Sequence, residues 1–218
     1  MQHPIKEYSF NTKEIIKAGF AHIEGVKAQF LIAIMIYFAI AIVVQTLLSF
    51  VFPQSTVDGP NFLNQQIVGI LSYPVLMPMM AGIMMMAINH TRGEEIHFKS
   101  IFNYYHLTGK LALAGIFSYF LTILGLLLFI LPGIYLSVAY AFVMPLIADK
   151  GMDVWEAMEH SRKTVTKHWF MVAGLTGALS VILFLGALAL GVGLIWAIPL
   201  LFVTLYGLAY PVMFDEEE

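Results

Sequence analysis

Few side chains in this 218-residue sequence are placed for chemistry. His90, Glu94, Glu95 and His97 form the set that most resembles a metal site. Gly93 predicts a helix break in their midst, and a solvated loop is the plainer reading. His160 follows Glu156 by four residues, the spacing of a surface pair on a helix. Met77, Met79, Met80, Met84, Met85 and Met86 crowd one segment. Thioethers one turn apart, as at Met80 and Met84, suit Cu(I). Methionine also fills irregular space, and Pro74 and Pro78 in the same segment create it. Cysteine is absent, so thiolate sites, iron–sulfur clusters, disulfides and a cysteine nucleophile are excluded. No Gly-x-Ser-x-Gly, His-Glu-x-x-His or phosphate-binding glycine loop occurs. The sequence therefore offers no catalytic residue, no metal site and no cofactor.

The elements that must carry these residues are apolar. Hydrophobic residues make up 60% of the chain and charged ones 11%, against about 45–50% and about 25% in soluble domains. That balance excludes a typical soluble enzyme, a nucleic-acid binder and a disordered chain. It predicts a polytopic membrane protein. Residues 28–57, 59–91, 111–148 and 168–214 contain no Asp, Glu, Lys or Arg. A spanning helix needs about 20 apolar residues. The first two gaps hold one span each, near Gln29–Phe52 and Gln65–Ile88. The last two hold two each, with turns expected at Leu131-Pro132-Gly133 and around Gly186, Gly191 and Gly193. The expected class is all-α with six transmembrane helices. The apolar runs do not alternate, which argues against a porin-like barrel. The first run is too long for a signal peptide.

All 11 cations fall on one side of these spans, as do all seven histidines; the only charge expected opposite is Asp58. The positive-inside rule then predicts a bacterial inner-membrane protein with both termini cytoplasmic. No Asp, Glu, Lys, Arg or His falls inside a span. Such groups mark ion and proton routes, so an ion-coupled pump, a haem site and a carboxylate-based membrane protease are disfavoured.

The segments before spans one, three and five resemble one another. Ile15, Phe98 and Trp155 align, as do Ala18, Ile101 and Met158, and Lys27, Lys110 and Lys167. Gly125, Tyr140, Pro145 and Asp149 recur 66 residues later as Gly191, Tyr206, Pro211 and Asp215. These correspondences predict three repeats, near 12–88, 95–148 and 152–214, each an amphipathic helix followed by a hairpin. In 153–169 a helical wheel places Val154, Trp155, Met158, Ser161, Val165 and Trp169 opposite Glu156, Glu159, His160, Lys163 and Lys167. The segment 12–27 divides similarly; the middle copy does so poorly. Such helices lie in the membrane interface or pack on the bundle ends. Ala173 and Gly177, and Gly174 and Ala178, are spaced for close helix contact. Trp169 and Trp196 fit the inner and outer aromatic belts.

The run Leu131-Pro-Gly-Ile-Tyr-Leu, then Pro145-Leu-Ile-Ala-Asp149, then Trp155-Glu-Ala-Met-Glu-His-Ser161-Arg, ending at His168-Trp169-Phe170, is distinctive. Over about 125–172 it resembles bacterial integral membrane proteins grouped with the glycerophosphodiester phosphodiesterase membrane domain and related six-helix families. The resemblance implies a six-helix inner-membrane protein. It brings no catalytic residue and no activity to this sequence.

The leading expectation is a non-enzymatic membrane protein acting in envelope or lipid homeostasis through lipid or protein partners. Trp155, Ser161, Arg162, Lys163, Lys167, Trp169, Lys27 and Lys110 are its expected interface, facing anionic headgroups or a protein, including a second copy. The alternative is a transporter for a neutral or lipid-like solute, with a cavity near Ser137, Tyr140 and Tyr206. The third reading is a membrane-embedded enzyme, which must gather His90, His97, His160 or His168 with acids in one pocket.

Overall fold

The computed structural model describes residues 7–53, 55–56 and 59–215. Lys6 and Asp58, counted above among the charges, lie outside them. The described chain is almost wholly helical, and six of its helical segments are long and apolar enough to cross a membrane. In hydrocarbon every backbone group must be bonded internally, so apolar runs of this length become helices.

Helix α1 covers Thr12–His22 and is capped by Asn11, whose side chain accepts from the Lys13 N–H. The first span is α2 (Lys27–Val51) and the second is α3 (Phe62–Thr91). Between them two-residue strands β1 (Ser55–Thr56) and β2 (Gly59–Pro60) pair antiparallel, Ser55 opposite Pro60. Two 3₁₀ turns, Phe98–Phe102 and Tyr105–Leu107, lead into α4 (Thr108–Leu128), the third span. The fourth span is α5 (Ile130–Ala139) followed by α6 (Val143–Lys150). Helix α7 (Val154–Lys167) precedes α8 (Trp169–Leu188), the fifth span. The sixth is α9 (Leu194–Phe202), a π-helical stretch Val203–Ala209 and α10 (Tyr210–Phe214).

The spans alternate between outside and inside. Buried residues make up 50%, 44% and 67% of the apolar stretches of spans two, four and six, but 11%, 28% and 17% of spans one, three and five. Span two is the central post: α3 packs against α2, α4, α6, α9, the π-helical stretch and the first 3₁₀ turn. Its methionines fill that core; Met79, Met84, Met85 and Met86 are buried, and Met77 and Met80 pack against them.

Three expectations are corrected. Leu131-Pro132-Gly133 is not the turn between spans three and four; the chain turns at the extended Phe129 and those residues form the first turn of α5. Proline is cheap there, because a first-turn N–H has no intrahelical partner anyway. The middle amphipathic segment is not an α-helix but two 3₁₀ turns, with Ile101 fully buried against Gly82. Gly174 and Gly177 face open space, so neither of these two glycines of α8 supplies the close contact expected of it within the chain. The two hairpins instead close through other glycines, Gly125 on Gly133 and Gly186 on Gly193. Gly191 does lie in the last turn, with positive φ of 78°.

The amphipathic helices dock on the bundle. Ile15 and Gly19 of α1 are buried, and a Cβ on Gly19 would collide with Oγ1 of Thr204 in the π-helical stretch. In α7 the buried stripe is Ala157, Met158, Ser161, Thr164 and Val165. Trp155, grouped by the wheel with Met158, is 72% exposed. The buried face runs from Thr164 and Ala157 through Ser161 to Met158, and the small and polar residues on its first side do not register in a reading weighted by bulky side chains.

Candidate functional site

Spans two, four and six all end on the charged face. Their C-termini bring three sets of unpaired carbonyls together, each equivalent to a partial negative charge. Cations are favoured at such a point, and Arg92 supplies the first. It caps α3 and grips Asp149 in a fork, Nη1 to Oδ1 at 2.7 Å and Nη2 to Oδ2 at 2.9 Å. The same Nη2 donates to both oxygens of Asp215, at 3.0 and 2.8 Å. Lys150 donates to Asp215 Oδ1 at 2.7 Å and lies 3.6 Å from Asp149 Oδ2. The Tyr210 hydroxyl donates to Asp149 Oδ2 at 2.9 Å. Two cations and two anions cancel. The Asp149 side chain is 10% exposed, the Arg92 side chain 30%. Hydrogen bonding to Asp149 outweighs burial and holds the Arg92 proton still more firmly than usual.

This network joins residues 57 and 123 positions apart. Its two acids are the pair that recurs at the 66-residue offset, which was the one sequence signal for it. Neither was read as a site residue.

Side-chain hydroxyls reach three backbone carbonyls near prolines or helix breaks. Pro211 has no N–H for the Gly207 carbonyl, and the Thr91 hydroxyl donates to that carbonyl at 2.6 Å. Span four breaks between Ala139 and Val143, with Pro145 in the first turn of α6. The Ala139 carbonyl, left without its helical donor, accepts from the buried Ser161 hydroxyl at 2.7 Å. The Tyr105 hydroxyl donates at 2.9 Å to the Val75 carbonyl between the two prolines of α3.

The expected interface residues divide. Ser161 is wholly buried in the contact just described. Arg162 and Lys163 both pair with Glu159, at 2.9 and 3.1 Å, and Arg162 first, then Lys163, hold that carboxyl below its usual range. Lys167 meets Glu7 at 2.6 Å and Lys110 meets Asp153 at 2.6 Å. Exposed pairs of this kind contribute little to stability. The Trp169 indole reaches the Tyr135 carbonyl at 3.4 Å. Its neighbour Phe170 is 86% exposed, and Trp155 also points outward. The Lys27 ammonium lies 5.7 Å from the centre of the Trp196 ring. The residues before α1 are strapped across this region, with the buried Tyr8 hydroxyl donating to the Thr164 carbonyl at 3.1 Å. Burial, then Glu7, push that phenol above its usual range.

Ser137 is exposed on α5 and bonds its own Ile134 carbonyl at 2.8 Å. Tyr206 is buried between Phe142 and Phe202, with ring centres 6.0 and 5.8 Å away, and Tyr140 is half-buried. None of the three lines the apolar cleft found in the bundle. That cleft measures about 380 Å³ and is bounded by α2 (Ile34, Tyr37, Phe38), α3 (Met80, Ile83), α8 (Leu183) and α9 (Leu194, Ile198).

The histidines are dispersed. His90 bonds the His22 carbonyl at 2.7 Å, and His160 packs on Phe214 with ring centres 5.6 Å apart. His168 sits beside Tyr8 and Glu7, while His97 and Glu95 line a shallow cavity of about 580 Å³ with Phe98 and Lys99. Gly93, with φ of 83°, does break the chain within the His90–His97 set. Among the described residues no group of three His, Asp or Glu is disposed to hold a metal ion. No family model, curated protein or solved structure matches the chain.

Proposed function

We propose that this chain is a non-enzymatic module of the bacterial inner membrane, acting in envelope or lipid homeostasis through lipid and protein partners. The observation that supports it most is the closure of the Arg92 network. Among the described residues the most buried charges, Arg92, Asp149, Lys150 and Asp215, satisfy one another. What the molecule does offer outward is apolar: the flanks of spans one, three and five, with Phe170 and Trp155 at the charged edge. The alternation of exposed and buried spans also favours three repeats of one interfacial segment and one hairpin, with the hairpin's second helix always inward.

Native mass spectrometry after gentle extraction tests this reading. The expected result is a stoichiometric protein partner or a retained lipid. A bare chain that turns over a soluble substrate would overturn it. The absence of cysteine makes the proposed orientation simple to check. A membrane-impermeant maleimide applied to intact cells should label Ser55→Cys and leave Glu14→Cys unlabelled until the cells are opened. The reverse pattern would invert the topology.

A further inference from the structure

We infer that segment 7–22, the strap together with α1, is a lid. It lifts from the bundle and opens a buried polar seam to water while the six spans stay in place.

Three buried side-chain atoms among the described residues lack a hydrogen-bond partner: Thr164 Oγ1, His168 Nε2 and Thr204 Oγ1. All three stand on residues that this one segment lies against. The Tyr8 hydroxyl donates to the Thr164 carbonyl at 3.1 Å. The Tyr8 ring meets the His168 ring edge-on, with centres 4.9 Å apart, and the Glu7 carboxylate is 3.4 Å from Nε2. The backbone of α1 crosses Thr204: a Cβ on Gly19 would lie 3.3 Å from the Thr204 Cβ and collide with its Oγ1.

Stranded atoms weigh against the closed state. A buried hydroxyl without a partner costs free energy that hydration returns. A threonine inside a helix can bond a carbonyl one turn back, and Thr204, in the π-helical stretch, does not. Lifting the segment admits water to the whole seam. What holds the segment down is slight. Within α1 only Ile15 and Gly19 are buried, whereas α7 buries Ala157, Met158, Ser161, Thr164 and Val165. A helix of 11 residues is marginal in water without such a seat. The strap adds the buried Tyr8, an ion pair between the exposed Glu7 and Lys167, and a Phe10 N–H donated at 3.4 Å to Met171 Sδ, a weak acceptor. At the far end the His22 carbonyl accepts from His90 Nε2 at 2.7 Å, on the exposed surface. Elements with few buried apolar contacts open locally, at a free energy below that of global unfolding.

Labelling of the purified full chain, reconstituted in vesicles, with N-ethylmaleimide tests the lid, since the sequence contains no cysteine. Thr204→Cys should react about tenfold faster than Ser161→Cys, which replaces an equally buried hydroxyl that is bonded to the Ala139 carbonyl. Tyr8→Phe removes one tie. It should speed reaction at position 204 about fivefold, the factor an ordinary hydrogen bond supplies, and leave position 161 unchanged. Gly19→Ala forces α1 off Thr204. It should speed reaction at position 204 further, with position 161 still protected and the melting midpoint near that of wild type. Hydrogen exchange of the unmodified protein needs no variant: amides 12–22 should exchange about tenfold faster than amides 157–165. Equal reaction at positions 204 and 161 overturns the lid. So does a Gly19→Ala variant that exposes both positions, or equal exchange of the two helices, because α1 is then a fixed part of the bundle.

Discussion

Arg92→Gln lowers the thermal midpoint of the detergent-solubilised protein by roughly 6–12 °C. The estimate takes about 3 kcal/mol for removing one partner from a partly buried ion network and about 2–4 °C per kcal/mol for a chain of this size. The guanidinium makes four hydrogen bonds to two carboxylates that reach it from different spans. Glutamine can replace one of them. Asp149 is then left with Tyr210 and a distant Lys150, at the C-terminus of a helix whose dipole already disfavours an anion. The cost lies in the stranded acid more than in the lost attraction. Adding Asp149→Asn to Arg92→Gln should therefore recover a good part of the midpoint, although it removes another charge. If the single variant melts with wild type, the four charges are separately solvated and the inner helices are held by packing alone.

That network also marks the limit of what the linear sequence carries. The spans were legible because an uncharged apolar run of 20 or more residues has only one way to satisfy its backbone in lipid. Lys27 and Arg92, at the edges of the charge gaps, stand within a residue of the observed ends of α2 and α3. Gly191 was legible as a turn for the same local reason. The pairing of Arg92 with Asp215, across 123 positions, depends on which helix ends meet, and no periodicity encodes that. The recurrence of Asp149 as Asp215 hinted that the two positions are alike without saying that they share one guanidinium. Trp155 and the Phe98–Leu107 segment misled for a different reason. A wheel weighs side-chain bulk and so passes over the small residues that docking buries, Ala157 of α7 and Gly82, the latter at backbone distance from Ile101. Ser161 looked like a residue for headgroup contact, yet it answers a carbonyl freed by a helix break 22 positions earlier.

Gly82→Ala is the sharpest test of that last point. A Cβ at position 82 would stand 2.5 Å from the Ile101 Cα and 2.6 Å from its carbonyl oxygen. Both atoms are backbone, so no rotamer change relieves the contact; the 3₁₀ turn must move off α3. Ile101 is fully buried, and the same turn is tied to α2 by the Phe98 N–H donating to Gln29 Oε1 at 3.0 Å. Displacing it also strains the Tyr105 bond to the Val75 carbonyl, in the part of α3 where two prolines have already removed donors. The expected loss is about 3 kcal/mol, the upper end of the range for overpacking. It should be accompanied by rapid proteolysis or hydrogen exchange within 94–107, since the turn loses its seat before the spans do. Gly174→Ala is the matched control: a Cβ there meets nothing within 4 Å, and the helix-forming preference of alanine over glycine should leave stability unchanged or raised by up to about 1 kcal/mol. Equal behaviour of the two variants would mean that the central post and its collar are not packed at backbone distance, and the docking of the Phe98–Leu107 segment would have to be redrawn.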